Sequence, residues 1–166
     1  MIILLLSMQR SGSTEFCYDL CPPDDRACCL SEPFTFAGGR NYTADPMRFL
    51  RSHMNAMRAY HVAKLFNFNF DYMGRDDATL AQLLANREVC PVVLERRSIH
   101  SRYCSHQAAM RTGDWGGHVH NGTHVHPADC DVSTASFEAF ATAHRRWYSW
   151  IRAHGTTRLY VNFTYA

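Results

Sequence analysis

A continuous apolar run, Ile2-Ile3-Leu4-Leu5-Leu6-Ser7, passes without a break into the polar turn Gln9-Arg10-Ser11-Gly12-Ser13-Thr14. A strand with one face in water alternates apolar and polar residues. A run that is apolar at every position belongs to a strand covered on both faces, as in a parallel sheet. Parallel neighbours need crossover connections, and helical patterns supply them downstream. Glu15 to Leu20 starts a helix that Pro22-Pro23 stops. Residues 24–44 read as irregular, and Asp45-Pro46 is an N-cap and first-turn signal. Phe49, Met54, Met57 and Tyr60 can share a helical stripe after it.

His61 to Phe70 reads as a second strand, and Asp76 to Arg87 as a helix with Leu80, Leu83 and Leu84 on one face. Val89 to Glu95 is a third buried strand and Ser98 to Arg111 a helix. Thr112 to Asp131 is a Gly- and His-rich loop. Ser133 to His154 is a long amphipathic helix bearing Phe137, Phe140, Trp147 and Ile151, and Arg158 to Tyr165 is a last strand. Strands alternating with helices predict an α/β fold, a three-layer sandwich around a mainly parallel central sheet.

Composition narrows the class. The 166 residues, 46% hydrophobic and 19% charged, suit one domain over residues 1–166. A net charge of +2 is too small to argue for a nucleic-acid partner. Lys64 is the only lysine; every other basic residue is arginine. Arginine suits bidentate phosphate recognition, although genome composition produces the same skew. The seven cysteines are an odd number without the CxxC…CxxC spacing of a zinc site, and Cys90 and Cys104 read as reduced core thiols. Sequons stand at Asn41, Asn121 and Asn162. Met1 to Leu6 is too short for a signal peptide's apolar region, and no run reaches the roughly 20 apolar residues of a membrane span. The chain as given is therefore expected to have no membrane segment and to be cytoplasmic. The Golgi lumen is the alternative if an anchor precedes it. No sequence feature speaks to oligomeric state.

A buried strand feeding a tight turn and a helix aims backbone N–H groups and a positive helix end at one spot, which suits a phosphate. Gly12 permits close backbone approach, Ser13 and Thr14 add hydroxyls, and Arg10 adds charge. An ordinary strand-to-helix turn has the same outline. The ATPase and GTPase loop GxxxxGK[ST] is absent, which also disfavours a nucleotide kinase. A second segment runs Val92-Val93-Leu94-Glu95-Arg96-Arg97-Ser98-Ile99-His100-Ser101-Arg102-Tyr103-Cys104-Ser105. Arginine at the C-terminal end of a buried strand lies where ligands bind in open α/β sheets, and a serine on the next helix can face the same phosphate. The competing reading is an arginine paired near Glu95 and a solvated helix face.

Arg10-Ser11-Gly12-Ser13-Thr14 after a hydrophobic strand resembles the 5′-phosphosulfate loop of sulfotransferases. Arg96, Arg97 and Ser105 resemble the arginine and serine that hold the 3′-phosphate in that family. Arg97 and Ser105 have the eight-residue spacing of the wider family, and Arg96 and Ser105 the nine-residue spacing of one branch, so both arginines stay candidates. Ser31-Glu32-Pro33-Phe34, Ala108-Ala109, Thr112-Gly113-Asp114-Trp115 and Arg145-Arg146-Trp147-Tyr148 resemble the carbohydrate sulfotransferase branch that includes the bacterial trehalose enzyme.

The resemblance implies a P-loop nucleotide-hydrolase-like sulfotransferase fold. It implies transfer of a sulfuryl group from 3′-phosphoadenylyl sulfate (PAPS) to a hydroxyl, expected on a carbohydrate, with 3′-phosphoadenosine 5′-phosphate (PAP) as product and no metal. Arg10, Ser11, Gly12, Ser13 and Thr14 would hold the 5′ end of the co-substrate, and Arg96 or Arg97 with Ser105 the 3′-phosphate. Glu32 would be the catalytic base, with Arg10 assisting. The family's closing strand usually ends in Tyr-Glu and leads into a segment over the nucleotide. Here Tyr165-Ala166 close the chain, so a C-terminally truncated domain is expected. A non-catalytic nucleotide- or anion-binding relative is the competing expectation.

Other candidates remain. His53, His61, His100 and His106 are rival bases, because a histidine serves in the cytosolic branch. Lys64 either faces the cleft, where it would meet a sulfate or phosphate oxygen, or is an edge-strand lysine in water. His118, His120, His124 and His126, with Asp129 and Cys130, contain His-x-His pairs able to chelate zinc or copper. A polar substrate-facing loop is the stronger expectation for them, and no metal is assigned.

Overall fold

Ile2–Ser7 (β1), His61–Phe66 (β2), Val89–Arg96 (β3) and Leu159–Phe163 (β4) form one sheet in the order β2-β1-β3-β4, and every neighbouring pair is parallel. The helices are α1 (Ser13–Asp19), α2 (Pro33–Phe36), α3 (Pro46–Ser52), α4 (Asp77–Ala85), α5 (Ile99–Thr112) and α6 (Ala135–His154), with a 3-10 turn at Arg26–Cys28. This computed structural model describes residues 1–36, 45–66, 77–113, 130, 135–154 and 159–163. The His-rich loop residues 114–129, the expected continuation of β2 to Phe70, the sequons at Asn41 and Asn121, and Tyr165-Ala166 lie outside them.

The apolar run of β1 divides between two cores, as a strand buried on both faces requires. Ile2, Leu4 and Leu6 join Leu50 of α3, Leu80, Leu83 and Leu84 of α4, and Trp147, Tyr148 and Ile151 of α6. Leu5 joins Cys17 of α1 with Cys21, Cys28, Val62, Val92 and Leu94. Pro91 opposes Leu4 of β1, and β4 joins β3 only from Val92 onward, so the missing N–H falls where β3 has one neighbour.

The order of strands matters for function. From β1 the chain crosses to β2 on one side, then back past β1 to β3 on the other. The C-terminal end of β1 is thus the switch point of the sheet, where open α/β sheets leave a crevice. The segment after β1 lies there.

Several expectations are corrected. The first helix starts at Ser13, with Gly12 at its N-cap in the left-handed region (φ 70°). Helix α3 ends at Ser52, and Asn55 then starts a turn, its side chain accepting from the Met57 N–H (2.9 Å) and its carbonyl from the Arg58 N–H (3.1 Å). Met57 is consequently exposed instead of sharing the stripe. Cys104 is not a reduced core thiol: it is disulfide-bonded to Cys130, because α5 brings it beside that residue under Phe137 and Phe140. Cys90 is a free, half-buried thiol. No described helix is long and apolar enough to cross a membrane.

Candidate functional site

The loop after β1 is shaped by its own side chains. Ser11 is fully buried, and its hydroxyl donates to the Met8 carbonyl (2.6 Å), so this side chain builds the turn. Arg10 (φ 63°) and Gly12 (φ 70°) are both left-handed. For arginine that conformation is strained, and such strain concentrates at functional sites. The Tyr148 hydroxyl lies beneath the loop, accepting from the Met8 N–H (3.3 Å) and donating to the Leu94 carbonyl (2.8 Å). One phenol from α6 thereby ties the end of β1 to the end of β3. Burial pushes its pKa up to about 12.

Arg10 leaves the loop toward α5, where its Nε donates to Ser105 Oγ (2.9 Å). Arg96, the last residue of β3, directs Nη1 at the Arg10 carbonyl (3.5 Å). Arg97 is exposed and makes no hydrogen bond or ion pair among the described residues. Arg10, Arg96 and Ser105 are thus brought together, and Arg97 is not.

On the other flank, the Lys64 side chain is buried although β2 is an edge strand, because α1 and residues 29–32 cover it. Cys29 bridges to Val62 in parallel fashion, the Leu30 N–H donates to the Val62 carbonyl (2.7 Å), and the Lys64 N–H donates to the Ser31 carbonyl (2.8 Å). Lys64 Nζ donates to Thr14 Oγ1 (3.0 Å) and to Glu32 Oε1 (3.3 Å). Desolvation holds the Lys64 pKa below the usual lysine range, and Glu32 opposes that shift. Ser31 shares with Arg10 the left-handed backbone (φ 55°), and these are the only two non-glycine residues so placed among those described. Glu32, expected beside the loop, is linked to it through Lys64 and Thr14.

The rival histidines separate. His61 pairs with Ile2, at the far end of the sheet from the loop, and its Nε2 accepts from the Asn55 N–H (3.0 Å). His53 is exposed at the end of α3, with Nδ1 2.9 Å from the Phe49 carbonyl oxygen. His106 is near Arg10; burial first, then Arg10 and Arg102, lower its pKa. His100 has a ligand nitrogen within 4.8 Å of both Cys104 and Cys130 sulfurs, but those sulfurs are joined in a disulfide and the group offers imidazole alone.

Two residues carry no signal in the motifs. Arg102 is fully buried, and its three guanidinium nitrogens have no hydrogen-bond partner among the described residues. The charge lies 5.1 Å from the Phe140 ring centroid and 6.0 Å from that of Tyr148, and burial pulls its pKa down to about 10. His144 of α6 lies 3.3 Å from Glu95 Oε1. Burial first, then Arg102, Arg152 and Arg145, drive its pKa down to about 3, so at neutral pH the contact is not an ion pair. The spacing Ala141-His144-Tyr148-Ile151 on α6 could have marked Tyr148 as inward-facing; nothing marks Arg102, since helix arginines are usually solvated.

Helix α1 has only seven residues, so its dipole is short and the converging cations carry the electrostatic case for an anion here. No protein-family model matches this chain, and no curated protein matches it.

Proposed function

We propose that this protein is a PAPS-dependent sulfotransferase that sulfates a hydroxyl group of a carbohydrate. The observation that supports this most is the meeting of two segments 95 residues apart, Arg10 on Ser105, with Arg96 at the same place. A cationic, hydroxyl-bearing crevice at a sheet's switch point suits a nucleotide with phosphates at both ends. In this reading Arg10 and Lys64 face the phosphosulfate, Ser11, Gly12, Ser13 and Thr14 form its loop, and Arg96 with Ser105 takes the 3′-phosphate. Glu32 removes the proton from the acceptor hydroxyl as its oxygen attacks sulfur. The S–O bond to the phosphate breaks, and PAP leaves with the bonding electron pair. The donors around the loop stabilise the charge that builds on that phosphate.

Calorimetry with PAP tests the binding half. Arg10→Ala should weaken affinity by about 10- to 150-fold, the loss of one charge-assisted contact. Arg96→Ala should abolish the preference for PAP over the nucleotide lacking its 3′-phosphate, and Arg97→Ala should keep it. Unchanged PAP affinity in folded Arg10→Ala refutes the loop assignment. The disulfides Cys17–Cys29 and Cys104–Cys130 favour an oxidising compartment, so we place the chain in a lumen in preference to the cytosol.

A further inference from the structure

Four of the seven cysteines lie within 13 residues of one another, and two of them are paired: Cys17 in α1 with Cys29, at a Cα separation of 5.9 Å. Between them the chain reverses. The Cys21 N–H donates to the Tyr18 carbonyl (3.0 Å), Asp25 to Pro22 (2.9 Å) and Cys28 to Asp25 (3.0 Å). Cys21, one helical turn beyond Cys17, is thereby set opposite Cys28, one residue before Cys29. Both are free thiols in the structure, buried together in the same small cluster as Cys17.

The turn is braced from outside. Arg58 holds Asp25 through Nε (2.5 Å) and Nη2 (2.8 Å), and the Tyr60 hydroxyl donates to the Leu20 carbonyl (2.8 Å).

We propose that Cys21 and Cys28 form a third disulfide nested inside Cys17–Cys29, so that two bridges clamp the helix after the anion loop to the segment bearing Glu32. This stands apart from the sulfotransferase reading, since it rests only on the cysteine geometry. Two thiols held in one cluster across a turn already closed by Cys17–Cys29 have a high effective concentration for each other, so an oxidant that engages one is displaced by the other. The co-reactant is a disulfide donor of the kind that oxidises lumenal proteins. Cys28 as thiolate attacks it and releases one donor thiol; Cys21 then attacks the mixed disulfide and releases the second. The two cysteines lose two protons and two electrons, and the donor disulfide becomes two thiols. Burial, then the contact with Cys28 and the charge of Asp25, push the Cys21 thiol up to about 12 against the pull of Arg58. A thiol so shifted attacks slowly once enclosed, which places closure during folding, before the cluster is buried. Cys90 is left as the one free thiol.

The test is mapping of the chain expressed into an oxidising lumen and denatured in iodoacetamide without reductant. The expected result is alkylation at Cys90 alone, with the tryptic peptides 11–26 and 27–40 joined by two bridges. Cys28→Ser should free Cys21 for alkylation and leave Cys17–Cys29 intact. Alkylation of Cys21 and Cys28 in the parent overturns the proposal, and so does a crossed pairing of Cys17 with Cys28. The Cys21→Ser/Cys28→Ser variant should melt on the order of 5–10 °C below the parent when both are oxidised. That gap should close when both are fully reduced. A gap that persists unchanged in the reduced proteins means that the two side chains contribute packing only, and overturns the clamp.

Discussion

The two flanks of the loop after β1 handle buried charge in opposite ways. Toward β2, Lys64 is inside the protein but answered by Thr14 and Glu32. Toward α5 and α6, Arg102 is equally buried but meets no hydrogen-bond geometry among the described residues, with the Phe140 and Tyr148 rings and the charge of Glu95 near it, and His144 is held neutral. A satisfied buried charge fixes geometry, because moving either partner exposes the other's desolvation cost. An unanswered one fixes nothing and costs stability, and it leaves positive charge in a low-dielectric wall near Arg10 and Arg96. The β2 flank is thus built to position a group, and the α5–α6 flank to bias the field around the loop.

The largest expected effect breaks the positioned flank. Glu32→Gln keeps an acceptor for Lys64 and removes the proposed base, so turnover in a sulfate-transfer assay over a panel of sugars should fall by about 10²–10⁴-fold. PAP affinity should stay within about twofold, since the cationic contacts are kept. Parent-like turnover would move the base to His106, the rival histidine near Arg10.

Next in size is the acid response of the other flank. The folded-state pKa of His144 is depressed from 6.5 to about 3, so between those values the unfolded chain binds the extra proton. Stability from this residue is whole above pH 6.5 and is lost as pH falls toward 3, by about 1.4 kcal/mol per pH unit. Glu95, raised by burial, acts in the opposite sense. Urea unfolding of parent and His144→Gln across this range should show the shallower slope in the variant. Equal slopes would mean that the imidazole is not the proton-linked group.

Arg102→Met asks whether the guanidinium is truly unanswered. The variant should be at least as stable as the parent, by up to about 2 kcal/mol, because desolvation is relieved and only ring contacts are lost. A loss of about 3 kcal/mol or more, the size expected on breaking a satisfied buried pair, would erase the contrast between the flanks. The smallest effect sharpens it. Ser31→Gly removes the left-handed strain beside Glu32 and adds unfolded-state entropy, for a net gain of about 0.5 kcal/mol in chemical denaturation. A gain in stability together with a fall in turnover would show that the strained backbone aims Glu32.

Local pattern was enough for the strands and the longer helices, but not for the 3-10 turn at Arg26–Cys28 or for α2, which fall where an irregular segment was expected. An unbroken apolar strand has to be covered on both faces, so Ile2 to Ser7 by itself implied a parallel sheet under helices, and the breaks at Pro22-Pro23 and Asp45-Pro46 follow from backbone chemistry alone. Arg10, Arg96, Arg97 and Ser105 were candidates from a resemblance and from their places after a strand end or on the next helix, and the structure brings Arg10, Arg96 and Ser105 together. Whether Arg96 or Arg97 turns to the loop was not legible, since neighbouring residues at a strand end point to opposite faces and only the register of β3 decides between them. The disulfide of Cys104, the link from Lys64 to Glu32, the Tyr148 bridge and the burial of Arg102 join residues from elements distant in sequence. Their partners are set by strand order and helix packing, which no local periodicity encodes, so tertiary structure alone decided which polar groups were answered and which were left bare.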